Sequence, residues 1–201
     1  MDQTITQPPD TPDSKPLPPQ GGSGTAPFPP SEPRPSSDSA DSAPEEVQGS
    51  LNGDGLRVAV VASRFHQDIA RRLVDGAVSA LGEHGVESDD IRVAWVPGCF
   101  EIPQTARVLA STGLWHAVVC VGAVIKGETA HFEYVAGQAA LGIEAVSRET
   151  GVPVLFGLLT TYDEQQALDR AGGHAGNKGY DAALGAIEMV NLLRELRSME
   201  D

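Results

Sequence analysis

From Leu56 onward, apolar residues recur in two alternating rhythms. Leu56-Arg57-Val58-Ala59-Val60-Val61-Ala62 is a short β-branched run of the kind a strand buried on both faces requires. Similar runs recur at 91–96, 117–125 and 153–159. Between them the spacing is helical. Ile69, Leu73, Ala77 and Leu81 stand four apart, and Phe132, Val135, Ala139, Ile143 and Val146 stand three or four apart. Gly151 followed by Pro153 predicts the end of that second helix. Ala186, Val190, Leu193 and Leu196 mark a last amphipathic helix, with Arg194 and Arg197 near its negative end.

Strands alternating with helices imply right-handed crossovers and a parallel sheet covered on both faces. The expected fold is therefore α/β: a four-stranded parallel sheet with helices on both faces, a three-layer sandwich of the flavodoxin-like type.

Composition divides the chain. Residues 1–55 hold 12 of the 15 prolines, with nine acidic side chains against two basic ones. So few large apolar residues occur there that burial cannot offset chain entropy, and a disordered Pro/Ser/acidic tail is expected over 1–55. Such a tail is either a solvated leader or a recruitment arm. Residues 56–201 are long enough for one core and are expected to form a single domain. The net charge of −14 argues against nucleic acid or an anionic membrane as partner. No apolar run reaches the roughly 18 residues of a membrane span, and no secretory signal is visible at Met1-Asp2-Gln3-Thr4. Two cysteines, Cys99 and Cys120, suggest a reduced, cytoplasmic setting. The five histidines show no metal spacing, so no metal is expected.

Ligands of such sheets bind at the carboxyl ends of the strands, where strand order reverses. The four exits read Ser63-Arg64-Phe65-His66, then Pro97-Gly98-Cys99-Phe100-Glu101-Ile102-Pro103, then Lys126-Gly127-Glu128-Thr129-Ala130-His131, then Thr160-Thr161-Tyr162-Asp163. Polar and aromatic residues at these positions suit a flat, polar heterocycle.

At the third exit, Gly127 permits close backbone approach to a ligand, and Thr129 is a plausible N-cap for a helix beginning near Ala130. The N–H groups of Glu128 and Thr129 at that helix start would hold an anion such as phosphate, with the Glu128 carboxylate turned outward. His131 either packs at the helix start or, as a neutral imidazole, takes up and returns a proton. Glu101 either stabilises a helix end or accepts hydroxyl hydrogen bonds from a polyol. Phe65, Phe100 and Phe156 are core residues by default, with stacking as the alternative. Cys99 reads as a small loop residue without a neighbouring base. Arg170 ends a short helix and could grip a phosphate with its fork, and Lys178 between two glycines is ambiguous. His66, His84, His116 and His174 read as surface or loop residues.

Taken together, Ser63–His66, Pro97–Pro103, Gly122–Val135 and the stretch 166–181 resemble the 6,7-dimethyl-8-ribityllumazine synthase family, over about 56–196. The resemblance implies condensation of 5-amino-6-(D-ribitylamino)uracil with 3,4-dihydroxy-2-butanone 4-phosphate. Lumazine, phosphate and water are formed in the penultimate step of riboflavin biosynthesis, with no cofactor or metal. It implies that Phe65 stacks on the pyrimidine and that Cys99, Phe100 and Glu101 line the uracil and ribityl site. Ala123, Val124 and Ile125 would contact the heterocycle, Glu128 and Thr129 would bind phosphate, and His131 would transfer protons. Phe156 and Arg170 would reach the site from a neighbouring subunit, with Lys178 a basic residue nearby.

Three positions depart from the family's usual pattern. Lys126 replaces Arg, His66 replaces Asn, and Cys99 replaces Ala or Ser. The family forms pentamers or icosahedral shells of pentamers. The short link Gly173-His174-Ala175-Gly176-Asn177 goes with shells. Rival readings are a receptor that keeps the pocket without turnover, and a compartment shell whose tail recruits cargo.

Overall fold

The computed structural model describes residues 44–199. The expectation of a disordered leader falls largely on residues outside that range. Four strands, β1 (Val58–Ser63), β2 (Ile91–Val96), β3 (Ala117–Ile125) and β4 (Val154–Thr161), form one parallel sheet in the order β2-β1-β3-β4. The order reverses between β1 and β3, which both lie in the middle of the sheet. Every residue of β1 is buried, as its unbroken apolar run requires.

Helices α1 (Gln67–Glu83) and α5 (Lys178–Ser198) cover one face; α2 (Ile102–Ser111) and α3 (His131–Thr150) cover the other. Strand alternation sends Val58, Val60, Val119 and Val121 to the first layer and Ala59, Val61, Val118 and Cys120 to the second. The periodic residues Ile69, Leu73, Ala77 and Leu81 are all buried, as are Ala139, Ile143 and Val146. The α3 helix ends at Gly151 with φ 68, a left-handed cap that costs glycine nothing. This is the expected α/β sandwich.

Some boundaries differ from the sequence reading. β1 takes in Ser63, and β4 runs on to Thr161, whose carbonyl accepts the Lys126 N–H at 2.9 Å. A short helix α4 (Glu164–Arg170) is capped by Asp163, whose Oδ1 accepts the Gln166 N–H at 2.8 Å. A small antiparallel hairpin follows, β5 (Ala171–Gly173) with β6 (Gly176–Asn177). No hydrophobic period announces it, because its strands hold three and two residues. Asn177 then caps α5, accepting from the N–H groups of Gly179 and Tyr180, while its Nδ2 donates to the Arg72 carbonyl on α1.

Residues 44–57 form no helix or strand, yet Gly49 and Gly53 are buried. The Asn191 side chain on α5 donates to the carbonyls of Ser50 and Asn52 at 2.9 and 2.8 Å. No helix among the described residues is long and apolar enough to cross a membrane.

Candidate active site at the strand exits

A cavity of about 540 Å³ opens at the carboxyl ends of β1, β2 and β3, over the point of reversal. This size suits a small organic ligand. Phe65 and His66 come from the first exit and Pro97–Glu101 from the second. Ala123, Val124 and Ile125 close the floor, and Gly127, Thr129 and His131 stand at the start of α3. The fourth exit is not part of the lining. There Thr161 Oγ1 donates to the Asp163 carbonyl, and Asp163 is occupied as a helix cap.

Phe65 is 67% exposed and Phe100 57%, so the default reading of both as core residues is wrong. Each leaves its strand end beyond the reach of the covering helices. Phe156 is likewise not core. It lies on edge strand β4 and is 45% exposed.

The Glu101 carboxylate accepts the Gly98 N–H at 2.9 Å, closing the tight turn over Cys99–Glu101 that leads into α2. Its helix-end role is therefore real, and it leaves a carboxylate oxygen over for a ligand. Cys99 is buried. Desolvation raises its thiol pKa, the Ser63 hydrogen bond opposes that, and the Glu101 charge adds to it. The thiol is thus held protonated and is unsuited to nucleophilic attack.

The start of α3 departs from the expected cap. Ala130 is the N-cap, and Thr129 Oγ1 lies 3.5 Å from the His131 N–H, at the outer limit of a hydrogen bond. Among the described residues, the N–H groups of Gly127, Glu128, Thr129 and Ala130 have no protein acceptor. Such donors at a helix's positive end are what an anion needs. The Glu128 side chain is exposed and outside the lining. Lys126, also exposed, pairs with Glu133 at 3.6 Å and lies 5.6 Å from the Tyr162 ring centroid.

Arg170 and Lys178 do not line this chain's cavity. Arg170 Nη1 donates to the Gln166 carbonyl at 3.0 Å, and Lys178 pairs with Asp181 at 2.7 Å. Tyr134, missed in the sequence reading, lines the cavity. Its spacing of three from His131 was the available signal, since that places both on one side of α3. His116 is no bland surface residue either: it is half-buried and its Nδ1 accepts the Arg57 N–H at 2.8 Å. Among the described residues, no three His, Cys, Asp or Glu side chains gather as a metal site would require.

A largely apolar cavity over the reversal point of a doubly wound sheet, with open amides at a helix start, is how α/β proteins take up small anionic molecules. The family model described as 6,7-dimethyl-8-ribityllumazine synthase matches residues 55–194. The chain belongs to that family.

Proposed function

We propose that this chain is a transferase that condenses 5-amino-6-(D-ribitylamino)uracil with 3,4-dihydroxy-2-butanone 4-phosphate, releasing 6,7-dimethyl-8-ribityllumazine, phosphate and water. The family match carries this reading, and the cavity's chemistry supports it. The pyrimidine lies against Phe65, with Cys99, Phe100 and the strand end Ala123–Ile125 around it. The spare oxygen of Glu101 accepts from ribityl hydroxyls. The phosphate sits at the amides of Glu128 and Thr129.

The 5-amino group condenses with the ketone carbonyl with loss of one water, phosphate is eliminated, and the ribitylamino nitrogen closes the ring onto the carbonyl so formed with loss of a second water. His131 carries protons between nitrogen, carbon and oxygen. Holding both reactants together supplies on the order of 7–11 kcal/mol of the barrier. Acid–base help at His131 adds about 10²- to 10⁴-fold. No cofactor or metal enters these steps.

Arg170, Lys178 and Phe156 lie outside the chain's own cavity. We assign them to the site of a neighbouring copy, Arg170 gripping the phosphate. The assembly is a pentamer, further built into an icosahedral shell, and it works in the cytoplasm. Residues 1–55 serve as a leader and 56–201 as the catalytic domain. The test supplies both substrates to the full-length protein and to a form lacking residues 1–43. Fluorescent lumazine is expected from both. Intact particles that bind the pyrimidine and form no lumazine would refute the enzyme reading in favour of a receptor. Light scattering that returned a pentamer-sized particle would refute the shell.

A further inference from the structure

Ser63 is fully buried at the end of β1, on a strand otherwise made of Val and Ala. A hydroxyl in such a place is costly unless it is used. Its Oγ donates to the Phe65 carbonyl at 3.3 Å and lies 3.5 Å from the Cys99 Sγ, whose protonated thiol donates to it. The thiol's alternative acceptor, the Ala123 carbonyl, is more distant at 3.8 Å. Gly122 on β3 completes the group: a Cβ there would stand 2.5 Å from Ser63 Oγ and 2.8 Å from Cys99 Sγ. Three strand ends thus interlock beneath the cavity through a thiol, a hydroxyl and a bare glycine.

The Phe65 ring is mostly exposed, so packing does not fix it. Its backbone does. Arg64 N–H donates to the Val96 carbonyl at 2.8 Å, Phe65 N–H donates to the Pro97 carbonyl at 3.2 Å, and Ser63 holds the Phe65 carbonyl. We infer that Ser63, backed by Cys99 and given room by Gly122, is a positioning residue that sets the Phe65 peptide and thereby the ring against which the heterocyclic substrate lies. This rests on the proposed role of Phe65.

The experiment combines amide hydrogen exchange over 64–68 with steady-state kinetics on the assembled protein. Ser63→Ala is expected to speed exchange there about fivefold, the equivalent of one ordinary hydrogen bond. It should raise KM for the pyrimidine substrate by a similar factor and leave KM for the phosphorylated ketone unchanged. Cys99→Ser, which keeps a donor to Ser63 Oγ, should leave exchange over 64–68 at the parent's rate. Gly122→Ala, which pushes the hydroxyl aside without removing it, should reproduce the Ser63→Ala effect, and adding Ser63→Ala to it should speed exchange over 64–68 no further. In a Phe65→Ala background, Ser63→Ala should have no further effect on the pyrimidine KM.

Unchanged exchange and unchanged KM in Ser63→Ala would overturn the inference. So would equal effects on both substrates, which indicate a merely structural role. Absence of lumazine from the parent protein would instead refute the proposed reaction, and the exchange readout would still decide whether Ser63 holds Phe65.

Discussion

The rings of Phe65 and His66 meet edge to face, with centroids 4.7 Å apart and planes at 78°. The contact exists because His66 adopts φ 54 and ψ 51, making it the one non-glycine residue with positive φ among those described. A left-handed backbone costs an L-residue about 1–2 kcal/mol, least for Asn and similar polar residues and most for β-branched ones. His66→Val is therefore expected to lower unfolding free energy by about 1–2 kcal/mol, and His66→Asn to preserve or raise it. Denaturation midpoints check this, and equal values for the two variants would contradict it.

His131→Ala should lower kcat by about 10²- to 10⁴-fold without abolishing turnover, because placement of the two reactants survives the loss of the proton carrier. Complete inactivity in a correctly assembled protein would reverse that ranking. Stopped-flow lumazine fluorescence measures it.

Arg170→Ala should raise KM for the phosphorylated ketone roughly 10- to 100-fold, the worth of a charge-assisted hydrogen bond, with the pyrimidine KM unchanged. Arg170 lies outside its own chain's cavity, and under the proposed reading it meets the His131 of another copy. Co-assembling Arg170→Ala chains with His131→Ala chains should therefore restore activity at the sites where both native residues meet. Mixed particles no better than the separate variants would place both residues in one subunit's site.

Gly179 and Gly82 should respond oppositely to alanine. A Cβ at Gly179 would lie 2.0 Å from the Leu73 carbonyl oxygen, so backbone would meet side chain where α5 crosses α1. Gly179→Ala is expected to cost about 3 kcal/mol. At Gly82, near the end of α1, the added carbon meets nothing within 4 Å, and Gly82→Ala should gain about 0.5–1 kcal/mol of helix stability. Chemical denaturation of both variants settles the contrast.

The His116 pKa is lowered, chiefly by burial and then by Arg194 and Arg57, with Asp90 opposing. The folded state therefore binds its proton less readily than the unfolded chain. The stability this contributes is present above the ordinary histidine value of about 6.5 and is lost as pH falls below it. His116→Asn, whose Oδ1 can replace Nδ1 as acceptor for the Arg57 N–H, should flatten the decline in Tm between pH 7 and pH 5. A parallel decline in both proteins would exclude His116 as its source.

What sequence revealed follows from how each element is stabilised. β2 and β3 were legible to the residue: β3 because a strand buried in a parallel sheet must be a continuous apolar run, and β2, a half-buried edge strand, through its β-branched and aromatic residues. The β5–β6 hairpin was not, since Asn177 and the left-handed glycines Gly172 and Gly176 hold it rather than any periodic face. At the site, three of the four loops named by the exit rule line the cavity. The rule failed at Thr160–Asp163, where the polar groups are consumed by a turn and a cap. Phe65 and Phe100 were misplaced because hydrophobicity predicts burial only where something lies above the ring. The Ser63–Cys99–Gly122 group joins residues far apart in sequence, and no local pattern points to it.

The tether of Ser50 and Asn52 to Asn191 has a practical corollary. These bonds, with the Gly53 N–H on the His84 carbonyl, anchor the incoming chain beside the amino ends of the strands. Within one subunit, that pole is opposite the mouth framed by Phe65 and Phe100. Substitutions at Ser50–Gly53 therefore act at the back of the domain, so the front can be re-engineered and the rear re-stitched as separate tasks.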